Sequence, residues 1–355
     1  MRLRSISAQL LRVPLSRPYA IAGGAWDAAE MVVVQLVSDT GLVGHGVAAP
    51  AEEVTGETCA DALAALEGAL VEALGGLELE HALQRLPSLA AGPAAQAAID
   101  MALHDLLARG HGLSLVDRLG RVHDALPTSV TIGVKDTEAT LAEAEEYLQR
   151  GFAHLKVKTG VDVGEDIARL VALRERFGNR VVLRADANQG YSPAQFARFA
   201  PWIERLDLEL VEQPLHPSED RALLGLAPHL RRRLVADESV HTLADIERLA
   251  ALGQPFGALN IKLMKCGGPT PALALAAAAG RAGLDVMWGC MDESAAGIAA
   301  ALHVAYASAA TRWLDLDGSF DLQCDPHVGG FEVRGGMLLT LARPGLGVAL
   351  RSVMI

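Results

Sequence analysis

Residues 154–158, HLKVK, alternate in the pattern of a β-strand. Residues two apart in a strand point to the same side, so Lys156 and Lys158 project together. Taken alone, such a pair indicates an exposed edge strand with two solvated lysines. If the pair is enclosed, each ammonium makes the other harder to protonate, and a neutral amine becomes available although free lysine titrates at about 10.4. The surrounding sequence favours the enclosed pair.

This stretch is the second of eight strand candidates that recur at near-equal intervals after Pro127. They occupy residues 129–133, 154–158, 181–186, 208–212, 233–237, 258–262, 284–288 and 312–317. Helical runs such as DIARLVALRERFG and PALALAAAAGRAG lie between them. Eight strand–helix units predict an α/β fold of the (β/α)8 TIM-barrel type over an open doubly wound sheet. No G-x-G-x-x-G or G-K-[ST] loop follows a strand, which argues against a nucleotide site.

The segments before and after the barrel are predicted to form a cap. Residues 1–50 carry strand patterns on either side of a Gly-Gly loop predicted between Tyr19 and Trp26, and residues 56–120 have the apolar spacing of helices. After Asp321 the sequence returns to strand alternation over too short a length for a domain. We therefore predict an α+β capping domain at 1–125, the barrel at 126–320, and a segment at 321–355 that rejoins the cap.

Composition excludes several classes of partner. The 355 residues carry a net charge of −12, and the one basic cluster is Arg231–Arg233, so nucleic acid and anionic membranes are not expected partners. Arg12 and Pro14 interrupt the N-terminal apolar run, which argues against a signal peptide, and no later run predicts a membrane span. The four cysteines lack metal-ligand spacing and are interpreted as reduced thiols. We expect a cytoplasmic homo-oligomer that acts on a small molecule.

Three consecutive strand candidates end in carboxylates, namely Asp186, Glu212 and Asp237. Barrel enzymes carry their chemistry at the C-terminal ends of the strands, so the three oxygens are predicted to converge. Oxygen ligands without His or Cys suit Mg²⁺, with Mn²⁺ as a possible substitute, and argue against zinc. Any one of these carboxylates alone would be better explained as a helix cap or an ion-pair partner.

Lys158 and Lys262 end strands that lie four apart around the predicted ring. Two amines facing each other across a bound substrate can act on both faces of one carbon, while a cation on the neighbouring carboxylate stabilises the anion formed. This arrangement predicts a racemase or epimerase. We expect Lys156 to lower the pKa of Lys158 and to touch the substrate carboxylate, and Lys265 to be a loop or helix-start cation.

The segments KVK, RADANQGY, VEQPL, VADES, NIKLMKCGG and DLDGSF resemble the enolase superfamily, in its muconate-lactonizing subgroup. The resemblance spans nearly the whole chain and implies a modified barrel with a capping domain. DLDGSF is most similar to dipeptide epimerases of the L-Ala-D/L-Glu type, whose Asp-x-Asp binds the free α-ammonium of a dipeptide. The resemblance assigns that role to Asp315 and Asp317. A pair of turn caps before Gly318 is the other interpretation.

Two departures from the epimerase pattern concern specificity. Where L-Ala-D/L-Glu epimerases offer an Arg from the cap loop, this sequence has Gly24, so the cation that would bind a Glu side chain is absent. Asp292, and Glu52 and Glu53 in the cap loop PAEEVTGE, make the predicted pocket acidic. We therefore predict a dipeptide epimerase whose second residue has a hydrophobic or cationic side chain rather than an acidic one.

Other functions share parts of this pattern. N-succinylamino acid racemase, o-succinylbenzoate synthase and muconate cycloisomerase use the same metal and lysines, but their substrates have no free ammonium, and two carboxylates would repel an anionic acyl group. A metal- or peptide-binding protein without activity is the alternative outside enzymes. Binding alone would not require bases on both faces of the substrate, which argues against it.

Overall fold

The structure, a computed structural model, describes residues 1–21 and 24–351. It begins with an antiparallel sheet of three strands in sequence order. These are β1 (Leu3–Ile21), β2 (Gly24–Ser38) and β3 (Val43–Ala48). Their inner faces are rich in Val, Leu and Met, which pack against the cap helices.

The hairpin of β1 and β2 is longer than the sequence predicted. The Gly-Gly loop expected from Tyr19 to Trp26 is wrong at both ends, because these two residues pair across the strands and Ile21 pairs with Gly24. The rings of Tyr19 and Trp26 stack with centroids 5.8 Å apart, a cross-strand contact that stabilises the extended pairing. Ala22 and Gly23 lie outside the described residues. We call residues 16–28 the hairpin arm.

The helices of the cap follow the first sheet. They are α1 (Glu52–Thr55), α2 (Cys59–Glu67), α3 (Ala69–Leu74), α4 (Leu79–Arg85), α5 (Pro93–Gly110) and α6 (Leu115–Leu119), with a 3-10 turn at Leu86–Ser88. Helix α5 is the central one, and most of its side chains are buried. It approaches β3 so closely that a Cβ on Gly46 would lie 2.0 Å from the carbonyl oxygen of Ala98, a contact that only glycine permits.

The barrel follows the short strand β4 (Leu126–Pro127). Its strands are β5 (Val130–Ile132), β6 (His154–Lys158), β7 (Val182–Asp186), β8 (Leu208–Glu212), β9 (Leu234–Ala236), β10 (Ala258–Lys262), β11 (Asp285–Gly289) and β12 (Thr311–Asp315). All eight are parallel and neighbour one another in sequence order. Ser129 N donates to Leu314 O (3.2 Å) and joins the first strand to the last. The predicted TIM-type barrel is confirmed.

Helices alternate with these strands around the outside. They are α7 (Thr137–Gln149), α8 (Val163–Phe177), α9 (Pro193–Phe199), α10 (Pro201–Arg205), α11 (Pro228–Arg231), α12 (Leu243–Leu252), α13 (Leu263–Cys266), α14 (Pro269–Arg281) and α15 (Ala295–Tyr306), with 3-10 segments at Gly178–Arg180 and Pro217–Gly225. None of the helices in the described ranges combines the length and hydrophobicity that a membrane crossing requires.

The last part of the chain forms short antiparallel strands. They are β13 (His327–Gly329), β14 (Phe331–Arg334), β15 (Met337–Thr340) and β16 (Val348–Leu350). This part is hydrogen-bonded to the cap, since Gly345 N donates to Leu113 O (2.8 Å) and Arg109 Nη2 donates to Val348 O (2.9 Å). The division into 1–125, 126–320 and 321–355 stays a prediction, and residues 352–355 lie outside the described chain.

Candidate active site

A cavity of about 540 Å³ lies between the C-terminal ends of the barrel strands and the cap. Its barrel lining includes Lys156, Lys158, Asp237, Lys262, Asp292, Asp315 and Asp317, and its cap lining includes Tyr19, Trp26, Glu52 and Glu53. The structure thus brings most of the predicted site residues to one space. Gly24 is exposed in the hairpin arm and is absent from the lining, as far as the described residues show.

The three predicted metal ligands are buried at the ends of consecutive strands. Asp186 and Glu212 end β7 and β8, Asp237 directly follows β9, and none is more than 1% exposed. Among residues 1–21 and 24–351, no group of three His, Cys, Asp or Glu side chains is already arranged to hold a metal ion. Ammonium groups contact the predicted ligands instead. Lys156 Nζ, for example, lies 3.6 Å from both Asp186 Oδ2 and Glu212 Oε2.

The donor set nevertheless fits a hard cation. Glu212 Oε2 is buried and accepts no hydrogen bond from any described residue. Burial, and then the Asp186 carboxylate, raise the pKa of Glu212 to about 8. Burial also opposes ionisation of Asp186, but Lys158 and Lys156 outweigh it and hold the pKa of Asp186 below its usual range. Buried carboxylates this close together favour additional positive charge, which a divalent cation coordinated by oxygen would supply.

The two candidate bases stand on opposite sides of the cavity. Lys158 ends β6 and Lys262 ends β10, four strands further around the ring of eight. Lys158 Nζ donates to Asp186 Oδ2 (2.7 Å) and to Asn188 Oδ1 (2.9 Å). Lys262 Nζ donates to Asp237 Oδ2 (2.8 Å). Each amine therefore lies beside one of the predicted metal ligands.

Lys156 points into the carboxylates at the base of the site. Its ammonium forms an ion pair with Asp315 as well as approaching Glu212. Burial opposes protonation of Lys156, but Asp315 and then Glu212 raise its pKa well above the usual range. The geometry makes Lys156 a fixed cation two residues before Lys158 in the strand. Its predicted effect on the pKa of Lys158 stays a prediction.

Two further polar residues hold the predicted metal ligands, a role that the sequence analysis gave to neither. Lys265 does lie at a helix start, but its side chain is buried, and its Nζ donates to Asp237 Oδ1 (2.5 Å) and Asp237 O (2.5 Å). Asn260 Nδ2 donates to Glu212 Oε1 (2.5 Å). Asn260 precedes Lys262 by two residues and so shares its side of β10, which is the signal that could have identified it.

The Asp-x-Asp pair also reaches the cavity. The last barrel strand ends at Asp315, so the predicted strand, which continued to Asp317, is too long. Ser129 Oγ donates to Asp315 Oδ1 (2.6 Å), and Thr131 N donates to Asp317 Oδ2 (2.7 Å). Burial, and then Asp315, raise the pKa of Asp317 to about 6. Two carboxylates oriented into one space suit a cationic group.

The residues predicted to set specificity lie nearer the cap. Tyr19 Oη donates to Asp292 Oδ2 (2.6 Å), so a barrel loop is tied to the hairpin arm. Burial is the main cause that raises the pKa of Asp292. Glu52 and Glu53 begin α1 and are exposed at the cavity. Arg12 and Arg17 also line the cavity, but acidic side chains outnumber them near the cap. Contact of Asp292, Glu52 and Glu53 with a substrate stays a prediction.

Comparison with known families agrees with this geometry. The model of the mandelate racemase / muconate lactonizing enzyme N-terminal domain matches residues 5–120, and the enolase C-terminal domain-like model matches residues 139–353. The chain belongs to the enolase superfamily. The superfamily predicted from the sequence motifs is thus confirmed.

Individual relatives of this enolase-superfamily chain include several epimerases. The L-Lys-D/L-Arg epimerase of Desulforapulum autotrophicum is 47% identical over 98% of this chain and 99% of its own. The L-Ala-D/L-Glu epimerase of Bacillus subtilis is 35% identical over 98% of this chain and 97% of its own. The crystal structure of a dipeptide epimerase from Methylococcus capsulatus, complexed with Mg and the dipeptide L-Arg-D-Lys, matches with a TM-score of 0.96 and 46% identity, over 98% of this chain and 100% of that one.

Proposed function

We propose that the chain is a Mg²⁺-dependent dipeptide epimerase, an isomerase that inverts the α-carbon of the C-terminal residue of an L,L-dipeptide. The observation that carries the proposal is the placement of Lys158 and Lys262 on opposite sides of one cavity. Bases on both faces of one carbon serve inversion and have no purpose in binding alone. The epimerases among the relatives, and the Mg and dipeptide in the Methylococcus structure, support the same reaction class.

Asp186, Glu212 and Asp237 would hold the metal. Bound Mg²⁺, or Mn²⁺ in its place, would supply positive charge to the substrate carboxylate and so stabilise the anion that forms when the neighbouring proton leaves. Lys265 and Asn260 hold Asp237 and Glu212 in orientation through the hydrogen bonds described above. Lys156 adds a fixed positive charge next to the same carboxylates.

Lys158 and Lys262 transfer the protons. One lysine, as a neutral amine, takes the α-proton as the C–H bond breaks. The other, as an ammonium, gives a proton to the opposite face of the same carbon. The two lysines end with exchanged protonation states, so the reverse reaction uses them in exchanged roles and the proton count balances.

Asp315 and Asp317 would bind the free α-ammonium of the dipeptide. Both are buried within the cavity lining, where the attraction between carboxylate and ammonium is stronger than in water. An anionic N-acyl group in the same place would be repelled. This argues against the racemase, synthase and cycloisomerase alternatives, whose substrates lack that ammonium.

We further propose that the dipeptide carries cationic side chains. Asp292, Glu52 and Glu53 line the cap side of the cavity, where acidic side chains outnumber the two arginines, Arg12 and Arg17. The relative from Desulforapulum, an L-Lys-D/L-Arg epimerase, supports a cationic side chain over a hydrophobic one.

The test is a set of dipeptides incubated with the Mg²⁺-loaded protein in D₂O. L-Lys-L-Arg should be inverted and deuterated with a kcat/KM at least about tenfold above that of L-Ala-L-Glu, since one buried charge pair contributes about 1–3 kcal/mol. Asp292→Asn should raise the KM for L-Lys-L-Arg, whereas the control Asp285→Asn, at an exposed pair with Arg312, should not. Turnover of L-Ala-L-Glu or N-succinyl-L-lysine without turnover of L-Lys-L-Arg would overturn the proposal.

We also propose a homo-oligomer in the cytoplasm, with the domain division given above. The four cysteines, none of which forms a disulfide, support a reducing compartment. Sedimentation velocity would test the oligomeric state, and limited proteolysis near residues 120–126 and 320–321 would test the division.

A further inference from the structure

The backbone of Lys158 is held by buried polar side chains that the proposed reaction does not use. Arg169 Nη2 donates to Lys158 O (2.9 Å) and to Asp166 Oδ1 (2.5 Å). Asp166 Oδ2 in turn accepts from Tyr191 Oη (2.7 Å) and from Gly160 N (2.9 Å). Asp166, Arg169 and Tyr191 are 1, 3 and 2% exposed. We call these three residues the Asp166 cluster.

The Asp166 cluster joins three segments around one lysine. Asp166 and Arg169 belong to α8, Gly160 to the loop after β6, and Tyr191 to the loop after β7. The second loop also carries Asn188, whose side-chain oxygen accepts from Lys158 Nζ. A Cβ on Gly190 would lie 2.2 Å from Gly160 O, so the two loops pack backbone against backbone. The cluster therefore fixes both the main chain of Lys158 and the loop that orients its amine.

Lys262, the other candidate base, is held by different means. It ends β10, where α13 begins at the next residue, and its amine donates to Asp237. None of the hydrogen bonds that the described residues of the Asp166 cluster form reaches β10. A change in the cluster should consequently displace one base and leave the other in place.

We propose that Tyr191, acting through Asp166 and Arg169, is a positioning residue for Lys158 alone, so that its loss weakens proton transfer on one face of the substrate carbon only. The inference rests on the proposed function. Removing the Tyr191 hydroxyl takes one donor from a buried carboxylate and loosens the contact between α8 and the loop after β7. Proton transfer is sensitive to such displacement, because a shift of about 1 Å can cost about a hundredfold in rate.

The test measures deuterium uptake from each isomer separately. Mg²⁺-loaded wild type, Tyr191→Phe and Lys158→Ala are incubated in D₂O with L-Lys-L-Arg or L-Lys-D-Arg, and deuterium is measured in the recovered starting isomer. A lysine amine exchanges its protons with solvent, so each isomer is labelled through the lysine that faces its α-proton. The isomer that stops exchanging in Lys158→Ala is the one that Lys158 serves.

We expect Tyr191→Phe to lower exchange of that isomer about tenfold and to leave the other isomer within about twofold of wild type. Epimerisation should fall by the same factor in both directions, because the equilibrium constant between the isomers is fixed. Only deuterium uptake into the starting isomer, recovered with its configuration unchanged, can therefore distinguish the two lysines. A role of Tyr191 in overall stability alone would lower both exchange rates together.

Tyr306→Phe is the matched control, since Tyr306 is also buried and its Oη donates to Leu338 O (2.5 Å), away from both bases. Tyr306→Phe should not lower the deuterium exchange of one isomer more than that of the other. An equal loss of deuterium exchange for both isomers in Tyr191→Phe, or no loss, would overturn the inference. If Tyr191→Phe does not fold, Asp166→Asn is tested in the same way. Absence of exchange in wild type with both isomers would instead overturn the proposed function, and the inference with it.

Discussion

Lys158 and Lys262 are the residues whose replacement tests the proposed reaction most directly. Alanine at either position should lower epimerisation about a thousandfold, because a positioned acid or base contributes about 10²–10⁴ in rate. Mg²⁺ binding, measured by calorimetry, should be retained. The matched control is Lys135→Ala, since Lys135 does not line the cavity, although its ion-pair partner Glu143 does. Wild-type epimerisation in either cavity variant would contradict the two-base mechanism.

For individual residues, the sequence predicted which side chains reach the cavity better than it predicted which side chains they contact. Lys158 and Lys262 could be found because each ends a strand of strong period-two pattern in a barrel. The ion pair of Lys156 with Asp315 could not be predicted. It joins residues far apart in the chain, and its formation depends on the side-chain torsions of both. Lys265 was misjudged for the same reason, since only its fold neighbours turn its ammonium toward Asp237.

Among the elements, helix α5 of the cap is joined to α14 of the barrel through a buried carboxylate. Asp100 accepts from Thr270 N (2.7 Å) and Thr270 Oγ1 (2.8 Å), and His104 Nε2 lies 3.9 Å away. Burial raises the pKa of Asp100 to about 7. A carboxyl whose pKa rises on folding is protonated more readily in the folded state. Its contribution to stability therefore falls as pH rises from the unfolded pKa of about 4 through about 7.

Asp100→Asn should remove this pH dependence, because asparagine has the same shape and does not ionise. We expect the free energy of unfolding of wild type to fall, relative to the variant, by on the order of 3 kcal/mol between pH 4 and pH 8. Urea unfolding at a series of pH values would measure it. Asp124→Asn, at a side chain that is 92% exposed, is the control. Parallel stability curves for wild type and Asp100→Asn would contradict the prediction.

The elements themselves were predictable where the pattern is local. The strands at 154–158, 208–212 and 258–262 have the bounds that their alternation predicts. The hairpin arm was not predictable from a local pattern. Its strand pairing past Pro14 depends on the stacking of Tyr19 on Trp26, which outweighs the turn signal of the glycines.

For the molecule as a whole, we expect Mg²⁺ to stabilise the folded state. A ligand that binds only the folded chain adds about 2.7 kcal/mol at a hundredfold excess over its Kd, which corresponds to a rise in Tm of several degrees, about 3–6 °C at this chain length. Chelation with EDTA should abolish epimerisation. Glu212→Gln should lose most of the Mg²⁺-dependent rise, because it removes a charged ligand. A Tm unaffected by Mg²⁺ in wild type would contradict the assigned metal site.

The overall architecture followed from spacing, because eight strand–helix units of near-equal length permit few arrangements other than a closed barrel. The enclosure of the cavity did not follow from the spacing of the elements. It depends on contacts between residues remote in sequence, such as Tyr19 with Asp292 and Ser16 N with Asp321 O (2.7 Å), and no local pattern encodes them.

The burial of the lysines has a practical consequence for handling the protein. The chain has only five, and the four at the site are each at most 9% exposed. The fifth, Lys135, has a side chain that is 23% exposed, so arginine carries nearly all the basic charge of the surface. Mild acetylation should modify Lys135 and the terminal amine before it inhibits the enzyme, as peptide mass mapping would show. Coupling to amine-reactive supports would then attach the molecule at very few points and keep its interior chemistry intact.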